Sequence, residues 1–186
     1  MPMRRSLFGS LIWPIPVLVA LIGVGFFMQL QHFVERKAVD DVVAEDVGHL
    51  QALRRIRSFY NAHIVSPVLA TGKHHLSSDF KNDPGSIPYP ATFLHEIAAI
   101  ASDDAQRFSL TSPFPFSQRA GRTLTDYQTA AWNHLQANPD SRFSTQVSQN
   151  GQDFIYVAVA DKLSAQTCVE CHNSHPDSPK RDWKLN

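Results

Sequence analysis

Cys168-Val169-Glu170-Cys171-His172 brings two thiols and an imidazole together, and these two cysteines are the only ones in the sequence. Cys-x-x-Cys-His is the attachment signature of c-type haem. Two thiols at this spacing on a tight turn reach the two vinyl groups of one porphyrin edge, and His172 then lies under the iron as its proximal ligand. Chance assembles such a run in roughly 1 of 2,000 sequences with these cysteine and histidine contents. Three other chemistries compete for the same residues. A zinc set of Cys168, Cys171, His172 and His175 would be cramped, because zinc fingers separate their ligand pairs by about a dozen residues. A thioredoxin-like pair needs its first cysteine at a helix N-terminus, and Asn173-Ser174-His175-Pro176 does not read as helical. A plain disulfide is the third. The expectation is one covalent haem c, held by Cys168 and Cys171 with His172 on the iron.

The opposite face of the iron is constrained by exclusion. Met1, Met3 and Met28 are the only methionines, and all lie in or before an apolar N-terminal stretch. A Met/His carrier is therefore excluded, and histidine, lysine, water or an open position are left. His63 is the leading distal candidate, set amid Phe59, Tyr60, Ile64 and Val65, although a core-edge histidine bonded to backbone would look the same. His74 and His75 fall in a polar loop, and His95 beside Glu96 reads as a surface pair. His175 is tethered to the His172 side and reads as a turn cap or a propionate contact. Arg119 and Arg122 could clamp haem propionates bidentately, against the simpler account of solvated arginines. No Ser/His/Asp set, phosphate loop or paired carboxylates has convincing context, so no catalytic residue is assigned.

These groups need elements to hold them, and the first is an anchor. Ser6 to Val34 contains no Asp, Glu, Lys or Arg. Leu7 to Leu30 would make a helix of about 36 Å, enough for a hydrocarbon core of about 30 Å. A cleaved signal peptide has a shorter apolar region and a small-x-small site, and Gly25-Phe26-Phe27-Met28 offers none. Arg4 and Arg5 before the span balance Arg36 and Lys37 after it, so flanking charge does not orient the protein. Haem attachment does, because that reaction belongs to the periplasmic side of the bacterial inner membrane.

Beyond the span, Val39, Val42, Val43, Val47, Leu50, Leu53 and Ile56 recur at helical spacing, predicting an amphipathic stalk that packs on its own domain or pairs with a second copy. Arg54 and Arg57 spoil a strict heptad. The helical pattern runs to Pro67, and residues 71–90 read as a loop. Helices follow over Ala91 to Ala101 and Thr123 to Ala137, with a strand over Phe108 to Leu110 between them. Phe143 to Gln149 and Phe154 to Ala160 make a hairpin about Asn150-Gly151, and the second strand, apolar on both faces, should be central. The organisation is an anchor over 1–34, a stalk over 35–58 and an α+β domain over 59–186. With 17 basic and 17 acidic side chains the net charge is zero, which argues against a nucleic-acid partner.

The sequence resembles a family of periplasmic PAS-like domains that carry c-type haem, found ahead of bacterial histidine kinases, diguanylate cyclases and adenylate cyclases. The match rests on Phe59 to Val68, on Ile87 to Phe93, on Leu110 to Phe116, and on Cys168 to Pro176 with Ser178-Pro179-Lys180 and Asp182-Trp183-Lys184. The resemblance implies a PAS-like antiparallel sheet with flanking helices, and a role in sensing redox state or a small gas. The alternative is a membrane-anchored cytochrome passing single electrons. In the family the segment after Trp183-Lys184 usually continues towards an effector. Here the sequence stops at Asn186, so the expectation is either a fragment or a protein that signals through a partner.

Overall fold

The computed structural model describes residues 14–185. The start of the apolar span, with Arg4 and Arg5, lies outside them. Helix α1, Pro14–Tyr60, runs 47 residues without a break, about 70 Å at helical rise. Its first half is apolar all round, with Ile15, Leu21, Phe26 and Phe33 between 57% and 67% exposed. The helical run Pro14–Ala70 is long and apolar enough to cross a membrane, with mean hydropathy 1.9 over its most apolar stretch. The protein divides into two units, Met1–Ala44 and Glu45–Asn186.

Pro67 does not end the helix as the sequence pattern predicted. A π-helical turn, Asn61–Val65, follows α1, and a short helix α2, Ser66–Ala70, follows that. Proline has no N–H to give the carbonyl four residues back and its ring crowds that carbonyl. Ser66 instead bonds five residues back to Asn61, through its N–H and its hydroxyl. The extra residue in the turn absorbs the misfit, and the helix resumes with proline in its first turn.

Residues 71–90 are not all loop. They contain β1, His75–Ser77, and β2, Ser86–Pro88, paired in parallel with Leu76 opposite Ile87. Pro90 then opens helix α3, Pro90–Ala101. Phe108 to Leu110 is extended but pairs with no strand, because Ser102 Oγ takes the Phe108 N–H at 2.9 Å where a ladder bond would go. A 3₁₀ turn, Ser117–Arg119, leads to helix α4, Asp126–Ala137.

Helix α4 starts at a capping box: Thr125 Oγ1 accepts from the Gln128 N–H, and Gln128 Oε1 accepts from the Thr125 N–H at 3.0 Å. Thr125→Ala should cost about 1 kcal/mol in urea denaturation, whereas Thr125→Ser should be close to neutral.

Strands β3, Arg142–Gln149, and β4, Gln152–Val159, form the predicted hairpin. Asn150 and Gly151 take positive φ values of 55° and 77°, as a type I′ turn requires. Phe143, Thr145 and Val147 share a face with Ala158, Tyr156 and Phe154. Tyr127 of α4 packs on that face, 4.7 Å from Tyr156 between ring centres. The expectation that β4 is central fails, since among the described residues it pairs with β3 alone. The fold is mixed helix and sheet, with the strands in two separate pairs. The core of the second unit holds Tyr60, Val65, Leu94, Ala98, Ala131, Leu135 and Val169.

Candidate haem site

Cys168, Cys171 and His172 lie on helix α5, Gln166–Ser174. The sequence pattern does not predict this helix, because its nine residues carry few apolar side chains and no capping side chain. Residues three and four apart share one helical face, so both thiols and the imidazole point to the same side. Val169, on another face, is the buried residue that docks the helix. Both thiols are free and half-buried. Burial, and then the charge of Cys168, push the Cys171 thiol above its ordinary range.

The segment that follows α5 folds back to fix the imidazole. Asn173 donates to the Trp183 carbonyl at 3.0 Å and accepts the Trp183 N–H at 2.9 Å, mimicking a strand pair. Arg181 ties the same segment to the carbonyls of Asn173 and Pro176. The Trp183 ring thereby stands edge-on to His172 at 5.2 Å. Phe116 stands edge-on to His172 at 5.1 Å, and Lys180 lies over the rings of Trp183 and Phe114.

His175 is held apart from this role. Its Nδ1 accepts the Asp177 N–H at 3.1 Å, which leaves Nε2–H to donate to the Tyr89 hydroxyl at 2.9 Å. It caps the turn after α5, as the sequence suggested.

Burial, then Arg57, then His175, lower the proton affinity of His172 and favour the neutral imidazole that ligates iron. Its Nδ1 is buried with no hydrogen-bond partner among the described residues. Arg57 pairs with half-buried Asp161, and Arg54 Nε lies 3.8 Å from the other carboxylate oxygen.

Residues 35–186 match the family model described as Tll0287-like. The protein belongs to the Tll0287-like family. That family implies a c-type haem domain. Neither a curated protein nor a solved structure matches the sequence at a significant level.

The residues present fit the group that the Tll0287-like family implies. A half-buried imidazole with a buried, unpartnered nitrogen sits beside two free thiols on one face of α5. Half-buried Phe116, Trp183 and Tyr89 stand around it, and no large side chain among the described residues is completely buried. A flat apolar macrocycle would find its burial among those rings. Cys168 and Cys171 would hold it by adding S–H across two vinyl groups, and His172 would hold its iron. When bound, the group supplies one-electron chemistry and an axial position for a small ligand.

The other candidates separate into two places. His63 is exposed on the π turn, its ring 4.5 Å from Phe59. His74 bonds the Gly85 carbonyl and His75 bonds Asp83, both within the 71–85 segment. Burial, and then the charges of Arg119 and Arg122, push His95 down to about 4. The pairing of Arg57 with Asp161, 104 residues apart, is not foreseen by sequence reasoning. The signal was present as the arginines that interrupt the apolar face of α1. A half-buried cation there calls for an acid, but nothing in the sequence says which.

Proposed function

We propose that this protein is a membrane-anchored c-type haem sensor whose large domain lies in the periplasm. Residues 59–186 form a PAS-like haem domain, residues 35–58 its stalk, and the N-terminal helix its single anchor in the bacterial inner membrane. Cys168 and Cys171 carry one haem as thioethers, with His172 as proximal ligand. The observation that carries this reading is the common face of α5, with His172 clamped between Phe116 and Trp183. Sensing is favoured because Arg57, on α1, lies close enough for its charge to act on His172. A change of iron charge or of bound gas would bias contacts made by that helix. The signal would pass along the stalk to a second copy or to a signalling protein.

One observation favours electron transfer as a second reading. From His172 the rings of Trp183, Phe114 and Trp132 follow at 5.2, 6.1 and 5.9 Å, a path from the site to half-exposed Trp132.

Absorption spectra of the full-length protein, made with haem-maturation machinery and purified in detergent, separate the two. A thioether-shifted spectrum in alkaline pyridine, with a new Soret band when the reduced protein meets CO, is the expected result. Covalent haem without any CO response would mean a firmly six-coordinate iron and leave electron transfer. Absence of covalent haem would sink both.

A further inference from the structure

Pro88-Tyr89-Pro90 sets one tyrosine between two prolines. Each proline ring fixes its own φ, and Pro90 also holds the residue before it in extended backbone. Tyr89 accordingly takes φ −54° and ψ 148°. Pro88 ends β2, and the Tyr89 carbonyl accepts the Phe93 N–H at 2.8 Å in the first turn of α3. With its neighbours fixed in this way, little of a push on the Tyr89 side chain is lost to rotation of the backbone.

On one side Tyr89 holds the end of α5. Its hydroxyl accepts from His175 Nε2–H at 2.9 Å, with the two rings edge-on at 5.6 Å. His175 gives its backbone N–H to the Cys171 carbonyl at 2.9 Å. Phe116 stands against both His172 and His175, at 5.1 and 5.4 Å. A displacement of His172 therefore reaches Tyr89 through one shared ring and one hydrogen bond.

On the other side the same tripeptide holds Tyr60, the last residue of α1. Tyr60 donates its hydroxyl to the Pro88 carbonyl at 2.9 Å, and its ring stacks on Phe93 at 4.0 Å and 13°. Tyr60 is buried and is followed directly by the π turn Asn61–Val65. Such a turn holds one residue more than the α-helix on either side, so it is a place where register can be taken up or released.

We propose that Tyr89 is the positioning residue that couples the His172 face of α5 to the end of α1. This rests on the haem-sensor reading above and names the route by which that site acts on α1. His172 shifts when the charge or ligation of its iron changes, Phe116 and His175 pass the shift to Tyr89, and the proline-bounded backbone carries it to Tyr60. A tyrosine that only supported the fold would steady α1 equally in both iron states.

The test is amide hydrogen exchange of the haem-loaded full-length protein in detergent, read by mass spectrometry in the oxidised and reduced states. Peptides from Leu53 to Val65 should differ in exchange rate by about fivefold or more between the two states, the lower end of ordinary coupling between sites. Tyr89→Phe keeps the ring and loses the hydroxyl, so that ratio should fall towards one while covalent haem content stays intact. Tyr60→Phe keeps the stack on Phe93 and loses the bond to Pro88, and should lower the ratio part-way. The two changes together should go no further than Tyr89→Phe alone, because both bonds lie in one series. A ratio of one in the wild type would overturn the proposal. So would the wild-type ratio retained in Tyr89→Phe, even with faster exchange in both states, since that would leave Tyr89 a structural support only. Absence of covalent haem in the wild type would be read separately, in the pyridine spectrum, and would remove the haem reading itself.

Discussion

Replacing both Cys168 and Cys171 with alanine is expected to abolish covalent haem, leaving no colour in the protein after acid–acetone extraction. Each thioether forms when a thiol adds across a vinyl double bond, so each cysteine accounts for one bond. Placed three apart on α5, both thiols meet the same porphyrin edge. Cys168→Ala or Cys171→Ala alone should retain haem through one bond, with a pyridine spectrum shifted part-way towards that of free protohaem. In the double variant only the axial bond from His172 remains, and such a group is extractable. Both cysteines avoid the tight core, which on α5 is represented by Val169. The double variant should therefore still fold, and circular dichroism can check that α5 and its surroundings survive. Haem still covalent in the double variant would refute the assignment of the thiols.

The residues of the candidate site are legible in the sequence because their motif is local. Cys168, Cys171 and His172 are read from adjacent positions, and the hairpin about Asn150-Gly151 is likewise set by the need for positive φ at two neighbouring residues. The long α1 was legible from its apolar run and from the helical spacing of Val39 to Ile56. Misreadings arose where a distant or side-chain partner decides the outcome. Phe108 to Leu110 has strand-like residues, yet Ser102 just after α3 captures its backbone. Pro67 looks like a stop until the π turn absorbs it. Helix α5 is short and polar, so periodicity could not reveal it, and its docking depends on the Asn173–Trp183 pairing. Its presence also changes one argument. Cys168 does sit in the first turn of a helix after a strand, so a thioredoxin-like pair is disfavoured by the family and by the placement of His172, not by the absence of a helix. Among the arginines, Arg119 and Arg122 read as solvated or propionate-binding, and the sequence does not show that their charges are felt at His95.

Arg57→Ala is expected to destabilise the domain by about 3–5 kcal/mol at neutral pH, because it strands a buried carboxylate. The Arg57 and Asp161 side chains are 19% and 17% exposed, so their attraction is little screened and neither is freely hydrated. Arg57 also reaches the Lys162 carbonyl at 3.5 Å, fastening α1 to the residues just after β4. Burial already raises Asp161 above the usual carboxylate range, although Arg57, first, and Arg54 pull it down. The sign of the pH dependence follows. A carboxyl that binds its proton more tightly when folded stabilises most below its unfolded value of about 3.9, and that advantage is lost as pH rises through the folded value. Removing Arg57 takes away the strongest opposing charge and widens the window upwards. The deficit of Arg57→Ala should therefore be largest near neutrality and shrink on acidification. Adding Asp161→Asn should recover much of the loss at neutral pH and flatten the dependence, since the amide carries no charge to strand. Urea denaturation at about pH 5 and about pH 7.5 reads both effects. If the double variant were no more stable than Arg57→Ala, the arginine would be acting through packing of its aliphatic stem against the domain, and not through Asp161. The same variant bears on the site, because the charge of Arg57 also reaches His172. With covalent haem retained, a shift in reduction potential that persists after Asp161→Asn would belong to that charge, and one that disappears would belong to the displaced end of α1.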